Sequence, residues 1–309
     1  MTVEWVIQYN IYVKNLIELY LEGLRLEKGA SLNSIEAYDH DLKRFAMHFR
    51  NKRITEISSV DLTDYLITLQ QKGLSSGTIS RNLSAIKGLF RFAVRNGIVK
   101  SSPADVIVGP KIYRPLPETL TVEQIVKVLS MPDQTTTLGL RDKAFLEFLY
   151  GSGARVSEAL NCKRADLMPE MMLVRLYGKG RKERVVPLGK VGWLVIEMYL
   201  KKSRPVLTNE KSADYLFLGK RGNPLRRMAG WRIVKKYCML AGITKNVSPH
   251  TFRHSFASHL LMGGADLLAV QELLGHADIS TTEIYTHLDR DFVISEHREF
   301  HPREKWSNI

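Results

Sequence analysis

Residues 248–254 of the chain read Ser-Pro-His-Thr-Phe-Arg-His, and they decide how the rest of it is interpreted. Ser248 is typical of a helix N-cap and Pro249 of the first helical position. His250 and Arg253 are three residues apart, so they project from one face of the first turns. Apolar residues repeat at helical spacing on another face: Phe252, Phe256 and Leu260. The pattern predicts a helix that packs on one side and keeps a cationic, polar face available on the other.

Two further helix starts follow along the chain. Asp266 is a candidate N-cap for a short helix that Gly275 would end, and residues 280–283 match a capping box that would start a third helix. Helix starts carry free backbone N–H groups that favour an anion. The sequence therefore predicts a phosphate site built from side chains at three consecutive helix starts: His250, Arg253, His276 and Tyr285.

Length and composition favour a nucleic-acid partner. The 309 residues suffice for two domains, and the net charge of +13 points to a polyanion, with no lipidation signal or basic amphipathic anchor to suggest a membrane. The two cysteines, Cys162 and Cys238, lack the spacing of a disulfide framework or a zinc ribbon, so we expect a reducing cytoplasm. The apolar N-terminal stretch is interrupted by charges, which argues against a signal peptide or a membrane span.

The first hundred residues show helical periodicity with no strand pattern between the segments. We expect a small helical bundle, with Asp61 capping its third helix and Ser76 or Thr78 starting its fourth. One face of the fourth helix is basic and could enter a DNA groove: Arg81, Lys87, Arg91 and Arg95. A charged face left in solvent explains the same residues.

The basic charge is divided along the chain. Residues 1–117 hold 16 Lys and Arg against 11 Asp and Glu, a net of +5, so the rest of the +13 lies beyond them. We therefore expect two domains that hold one polyanion. The Pro- and Gly-containing stretch between them has few periodic apolar positions. The predicted boundaries are a helical domain over 1–108, a linker over 109–117 and a second domain over 118–309.

The second domain adds three candidate groups. A strongly apolar helix, Leu140–Tyr150, should end at Gly151-Ser152-Gly153, and Arg155 and Glu158 follow one turn apart, as a structural salt bridge or as part of a site. Residues 173–176 and 183–188 form β-rich runs that predict a hairpin around a Gly-Lys-Gly turn. Its glycines let Lys179 approach a bound backbone closely, although Lys182 lies in the same turn.

Together these motifs resemble the tyrosine recombinases, the phage integrase family, and in particular its Xer-type members. The motifs occur in the family's order: Gly-x-Arg-x-Ser-Glu at 153–158, Gly-Lys-Gly-x-Lys-Glu-Arg at 178–184, His-x-x-Arg-His at 250–254, Leu-Leu-Gly-His at 273–276, and Tyr285. His-Pro-Arg at 301–303 also resembles the Xer-type tail. The resemblance implies a mainly α protein of two domains, a SAM-like core-binding bundle and a mixed α/β catalytic domain with a small β-hairpin sheet.

The resemblance also implies a metal-independent reaction without cofactors, in which DNA is cut and rejoined through a 3′-phosphotyrosyl intermediate. Tyr285 would be the nucleophile, Arg155 and Arg253 would clamp the phosphate, and His276 would donate to a non-bridging oxygen. The other roles are proton transfer for His250, protonation of the leaving 5′ oxygen for Lys179, and orientation of Arg155 for Glu158. DNA contacts would come from Arg81, Lys87, Arg91 and Arg95.

Other readings stay open beside this one. His250 and His254 could mimic half a zinc site, although no third ligand lies nearby in sequence. A type IB topoisomerase would use the same chemistry, a phage or transposon integrase belongs to the same family, and a DNA-binding accessory protein would bind without cleaving.

The Xer-type resemblance implies partners as well. These are a double-stranded recombination site, a homo- or hetero-tetramer of recombinase protomers on that DNA, and an activating DNA translocase, in a role that resolves chromosome dimers. In the tail, 291–309, Phe292 and Phe300 lie on one helical stripe with Glu296. That stripe could pack on its own domain, but the resemblance favours exchange with a neighbouring protomer.

Overall fold

The computed structural model describes residues 13–26, 32–111, 118–178, 183–245, 247–275 and 290–305. The chain divides into two units, Met1–Pro115 and Leu116–Ile309. Four residues of the predicted site lie outside the described ranges: Lys179, Lys182, His276 and Tyr285. Within those ranges, no helix has both the length and the apolarity that crossing a membrane requires.

The first unit is the predicted helical bundle. Its core is closed by aromatic rings in edge or tilted contact, with the centroids of Phe45 and Tyr65 5.6 Å apart and both side chains almost wholly buried. A short 3₁₀ turn at Ile54–Glu56 precedes the third helix. The helices are α1 Val13–Leu26, α2 Leu32–His48, α3 Ser59–Gln71 and α4 Ser76–Arg95.

The caps of α3 and α4 differ from the prediction by a few residues. Ser58, not Asp61, is the N-cap of α3, and the two residues satisfy each other: the Asp61 N–H donates to the Ser58 hydroxyl, and the Ser58 N–H donates to the Asp61 carboxylate. Ser75 caps α4 and accepts from the N–H of Thr78. Both helices thus begin at a serine whose hydroxyl accepts from the N–H three residues later, and the reciprocal bond of a capping box is present at Ser58.

The second unit is mostly helical around a small sheet, as predicted. Its elements are α5 Val122–Ser130, α6 Thr137–Ser152, α7 Val156–Asn161, β1 Leu167–Met168, β2 Leu173–Tyr177, β3 Glu183–Pro187, α8 Lys190–Met198, α9 Arg204–Leu207, α10 Arg227–Leu240, α11 Pro249–Gly263, α12 Leu267–Leu274, α13 Arg290–Phe300 and α14 Pro302–Lys305. Among the described residues the strands form one antiparallel sheet in the order β1-β2-β3. The predicted hairpin is β2–β3, with Leu173 opposite Pro187 and Tyr177 opposite Glu183.

Helix α6 runs through the core of this unit and positions the site at its C-terminal end. Phe145 and Phe148 pack edge-on against Phe217 at centroid distances of 5.2 and 5.4 Å. The helix ends where Gly153 takes the left-handed conformation at φ 59°. A side chain at Gly153 would place its Cβ 2.5 Å from Cδ1 of the buried Phe256 ring, so only glycine allows α11 to approach this corner.

The described part of the tail packs on its own domain, and its exchange with a neighbouring protomer stays a prediction. The buried residues of α13 are Val293, Ile294 and His297, whereas Phe292 is 39% exposed. Phe300, the other aromatic residue of the predicted stripe, is partly buried against the core of the unit. The Glu296 carboxylate accepts from the N–H of Asp266 at 2.6 Å, which ties α13 to the start of α12.

Two polar contacts anchor the tail to α6. The ring N–H at Nε2 of His297 donates to the carbonyl of Gly151 at 2.7 Å, and burial lowers the pKa of His297 to about 4, which keeps the imidazole neutral. Arg303 donates from Nε and Nη2 to the buried Glu147 carboxylate at 3.1 and 2.5 Å. The Nζ of Lys143 lies 3.4 Å from the same carboxylate. Withdrawing the tail would leave a buried carboxylate short of a partner.

The buried Arg303–Glu147 pair should make the tail a large contributor to the stability of the isolated protein. We expect Arg303→Gln to lower the free energy of unfolding by on the order of 3 kcal/mol, because it leaves Glu147 underpaired in the core. Truncation after Arg290 should lower the melting temperature at least as much. Urea and thermal denaturation measure both.

Lys201→Gln, which removes an exposed pair with Glu197, is the matched control and should melt near wild type. Equal melting temperatures for all variants would show that the tail is undocked in solution.

Candidate active site

The site is centred on the Glu158 carboxylate, which lies at the start of α7 and is only 4% exposed. Arg155 precedes the helix as its N-cap, and its backbone N–H donates to Oε2 of Glu158 at 2.7 Å. The Nη1 of Arg155 donates to Oε1 at 2.9 Å. Arg155 and Glu158 therefore form the salt bridge that their spacing predicted, and this does not exclude a role for them in a site. The Arg155 side chain nevertheless keeps 35% of its surface exposed, so it remains accessible to a ligand from solvent.

A second arginine, Arg184 at the start of β3, binds the same carboxylate in a bidentate manner. Its Nη1 donates to Oε1 at 3.0 Å and its Nη2 to Oε2 at 2.8 Å. Burial alone would raise the pKa of Glu158, but the hydrogen bonds and charge of Arg184, together with those of Arg155, outweigh it and lower the pKa. Glu158 is therefore ionised although it is buried.

Arg253 reaches the same place from α11. Its Nη1 lies 3.9 Å from Oε2 of Glu158 and donates to the carbonyl of Gly153 at 2.8 Å, and its Nη2 donates to the carbonyl of Leu274. The sequence pattern predicts an available side chain, but Arg253 is only 6% exposed. Burial, and then the positive charge of Arg155, lower the pKa of Arg253. An anion bound beside both arginines would relieve this repulsion.

His250 lies one turn from Arg253 on α11, which begins after the predicted N-cap Ser248. Unlike Arg253, His250 is exposed. Partial burial, followed by the charges of His254, Arg253, Arg227 and Arg155, lowers the pKa of His250 below its ordinary value. The imidazole is therefore neutral at neutral pH and able to accept a proton.

The structure thus brings together four of the predicted site residues, Arg155, Glu158, His250 and Arg253, from segments about a hundred positions apart in the chain. Lys179, His276 and Tyr285 remain predictions, because they fall outside the described ranges. The described residues next to them are Gly178, directly after β2, and Gly275, the left-handed C-cap of α12 that the sequence predicted.

Sequence reasoning missed Arg184 as a member of the site. A signal was present: Arg184 stands opposite Leu176 in the hairpin register, and Leu176 and Val186 are buried on that face of the sheet. A charged side chain at a core-facing strand position needs a buried partner. The carbonyls of Gly153 and Leu274, which hold Arg253, leave no such signal in the sequence.

The basic stripe of α4 is more strongly paired than the sequence suggests. Arg81 donates to the wholly buried Asp41 carboxylate from Nε at 2.7 Å and from Nη2 at 3.2 Å. Lys87 donates to the carbonyl of Ile107 at 2.8 Å. The Nε of Arg91 lies 3.5 Å from Asp105, an exposed pair that competes weakly with other anions. The guanidinium of Arg95, which is exposed, lies 6.0 Å from the ring centre of Phe92.

A structural zinc site needs four ligand side chains close together and a catalytic one needs three. Within the described ranges, no three or more His, Cys, Asp or Glu side chains are grouped closely enough to hold a metal ion.

Two family models match the chain. The N-terminal SAM-like domain of phage integrases matches residues 17–97, and the phage integrase family model matches residues 118–291. This chain belongs to the phage integrase family.

Members of the family with curated names resemble the chain along nearly its whole length. The tyrosine recombinase XerD of Chlorobaculum tepidum is 43% identical over 295 residues, which cover 94% of this chain and 97% of that protein. The tyrosine recombinase XerD of Listeria monocytogenes serotype 4b is 40% identical, with coverage of 94% and 100%.

Solved structures of the family share the fold. The XerH site-specific recombinase bound to a palindromic difH substrate aligns with a TM-score of 0.69 and 26% identity, covering 94% of this chain and 90% of that one. The Tn1549 transposon integrase, in complex with a circular intermediate DNA, aligns at 0.68 with 21% identity and coverage of 91% and 98%. At that identity the second match supports the fold alone.

The position of Arg253 depends on the corner at Gly153. We expect Gly153→Ala to destabilise the protein by about 1–3 kcal/mol, because the new Cβ meets the Phe256 ring and the residue keeps a positive φ. DNA cleavage should also slow, since the Gly153 carbonyl moves with the backbone. Urea unfolding gives the first quantity and single-turnover cleavage the second.

Gly242→Ala is the matched control for this change. Gly242 also has a positive φ, 75°, but a Cβ there meets only the end of the Lys127 side chain at 4.0 Å. Its cost should be that of the conformation alone, about 1 kcal/mol. Equal losses in the two variants would show that the contact with Phe256 does not hold the corner.

Proposed function

We propose that this protein is a site-specific DNA recombinase of the Xer type that cuts and rejoins DNA through a 3′-phosphotyrosyl intermediate. The observation that carries the proposal is the cluster in which Arg155 and Arg253 lie beside one buried carboxylate, Glu158, with the neutral His250 close enough to feel the charge of both arginines. Its support is the family and its XerD relatives, which match over 94% of the chain.

The arginines act on the phosphate. As the attacking oxygen approaches phosphorus, negative charge gathers on the non-bridging oxygens, and guanidinium groups fixed beforehand stabilise it without reorganisation. Arg155 and Arg253 suit this role because their planar forks match a phosphate. Arg253 has two of its N–H groups held by carbonyls, so its plane is set before DNA binds. His276 completes the set as a further donor.

The covalent step exchanges one phosphoester for another. The Tyr285 oxygen attacks phosphorus, its proton passes to His250, and the bond from phosphorus to the 5′ oxygen breaks as Lys179 protonates that oxygen. The phosphotyrosyl bond keeps the energy of the phosphodiester, so attack by a 5′ hydroxyl of another strand rejoins DNA without a nucleotide cofactor. None of these steps calls for a metal ion, because the arginines supply the positive charge.

The proposal extends to partners. We infer that four protomers, identical or of two kinds, assemble on a pair of recombination sites, with resolution of chromosome dimers as the biological role and an activating DNA translocase as a further partner. A cytoplasmic location follows from a chromosomal substrate. The XerD relatives and the SAM-like match favour this over a type IB topoisomerase.

In the first unit we propose that α4 contacts DNA through its basic stripe, Arg81, Lys87, Arg91 and Arg95. The pairing in the structure divides these residues. Arg91 and Arg95 are exposed, and the Asp105 carboxylate beside Arg91 is itself exposed to solvent, so a DNA phosphate can replace it at little cost. Arg81 is bound to a buried carboxylate and is better suited to hold the bundle together.

Tyr285 is expected to form a covalent bond to DNA. A nicked suicide substrate carrying the recombination site, incubated in a metal chelator, should trap the wild-type protein as a covalent adduct. Tyr285→Phe should bind the same DNA and give no adduct. Gel separation under denaturing conditions measures the adduct. An adduct with Tyr285→Phe, or a requirement for Mg²⁺, contradicts the proposal, and relaxation of a plasmid without recombination between two sites indicates a topoisomerase.

The two kinds of arginine on α4 should respond differently to substitution. We expect Arg91→Gln with Arg95→Gln to weaken DNA binding and to reduce the slope of affinity against salt by about 1–2, because phosphate contacts release counterions. Folding should be unaffected. Arg81→Gln should instead lower the melting temperature, because it leaves Asp41 buried without this partner. Filter binding across salt concentrations and thermal melting separate the two, and an unchanged salt slope in the double variant refutes the DNA role of this face.

A further inference from the structure

We propose that Arg184 is a positioning residue for the recombination reaction: it saturates the Glu158 carboxylate so that Arg155 and Arg253 remain free to bind the scissile phosphate. The inference rests on the proposed function and adds a residue and a mechanism to it.

Those oxygens are already fully occupied. Oε1 accepts from Arg155 Nη1 at 2.9 Å and from Arg184 Nη1 at 3.0 Å. Oε2 accepts from the Arg155 backbone N–H at 2.7 Å and from Arg184 Nη2 at 2.8 Å. An ionised carboxylate offers about four lone-pair sites, so four donors fill it.

The position of Arg253 agrees with that saturation. Its nearest nitrogen stays 3.9 Å from Oε2, outside hydrogen-bond distance, and two of its N–H groups go to carbonyls instead. Without Arg184 the carboxylate would have two empty lone-pair sites in a buried environment. The nearest cations able to fill them are Arg155 and Arg253, and either movement would turn a phosphate-binding group towards Glu158.

Arg184 also keeps the site positive. The cluster holds three guanidinium groups and one carboxylate, so its net charge favours a phosphate by two units. Loss of Arg184 halves that excess. Charges interact more strongly in a buried site than in water. The transition state carries more negative charge on the phosphate than the ground state, so the loss of positive charge destabilises the transition state more.

A third contact places Arg184 at the junction of the site's segments. Its Nε donates to the carbonyl of Leu273 at 2.8 Å, at the end of α12 and three residues before His276 in sequence. A Cβ at Gly275 would lie 3.2 Å from Cδ of Arg184, so a larger residue there would press on this side chain. One side chain thus joins the start of β3, which follows the Lys179 turn, to the start of α7 and the end of α12.

Arg184 itself does not bind the phosphate in this scheme. Its side chain is only 9% exposed, and each of its three nitrogens donates to a group of the protein. Arg155 is 35% exposed and has one guanidinium contact with Glu158. The exposed arginine is suited to substrate, and the buried one to holding the carboxylate.

The test measures adduct formation on a suicide substrate at saturating DNA, half-site binding and melting temperature for Arg184→Gln, Arg184→Lys and wild type. We expect Arg184→Gln to slow adduct formation about 100-fold, as misplaced catalytic groups do, with half-site affinity unchanged. Arg184→Lys keeps the charge but cannot bind in a bidentate manner, so it should recover only part of the rate. Arg164→Gln is the control: it removes an exposed arginine whose Nε lies 2.7 Å from Asp214, and should cleave at the wild-type rate.

A double-mutant cycle decides whether Arg184 acts through Glu158. In a Glu158→Gln background, Arg184→Gln should slow the reaction further by no more than about threefold. A full additional loss there, or a wild-type rate in Arg184→Gln, overturns the inference while leaving the proposed function intact. If Arg184→Gln does not fold, the same cycle is run with Arg184→Lys. Absence of an adduct with the wild-type protein would instead refute the proposed function, and the inference with it.

Discussion

The rest of the catalytic unit depends on one buried carboxylate. Removing the charge of Glu158 from water costs several kcal/mol, and only close, well-aligned cations and N–H groups compensate that cost. The compensating groups come from the start of α7, the start of β3 and the N-terminal turns of α11. These elements cannot shift independently without leaving a charge unpaired. The requirement to satisfy Glu158 therefore also sets the geometry of the arginines that a phosphate would meet.

The end of α6 links that cluster to the tail. Two carbonyls at this helix end accept hydrogen bonds from two different helices: Gly151 from His297 of α13, and Gly153 from Arg253 of α11. One turn earlier, Glu147 binds Arg303. The last turn of α6 is thus shared between the tail and the phosphate-binding face. A sequence pattern that treats the tail as a separate module does not contain this connection, because it is made by backbone carbonyls.

Local patterns predicted much of the structure. Ser248 and Pro249 start α11, Asp266 and Gly275 bound α12, and the β2–β3 hairpin lies where its β-rich runs placed it, because caps and turns depend on a few neighbouring residues. The predicted N-cap of α3 was wrong by three residues. Asp61 is a residue type that often caps helices, but Ser58 occupies the N-cap position. They did not predict the buried face of α13, which consists of Val293, Ile294 and His297, since helical spacing cannot tell which of two apolar stripes packs on a surface.

The sequence by itself determined the family, the mainly helical division into two parts and the identity of the candidate groups, because motif order and periodicity are properties of neighbouring residues. Only the tertiary structure decided which charges meet. It buried Arg253, placed Arg184 on Glu158, paired Arg81 with Asp41 and brought Arg303 to Glu147. Each of these pairs joins residues from 26 to 156 positions apart in the chain. The physical reason is that a buried charge must find a partner in space, and distance along the chain does not constrain where that partner comes from.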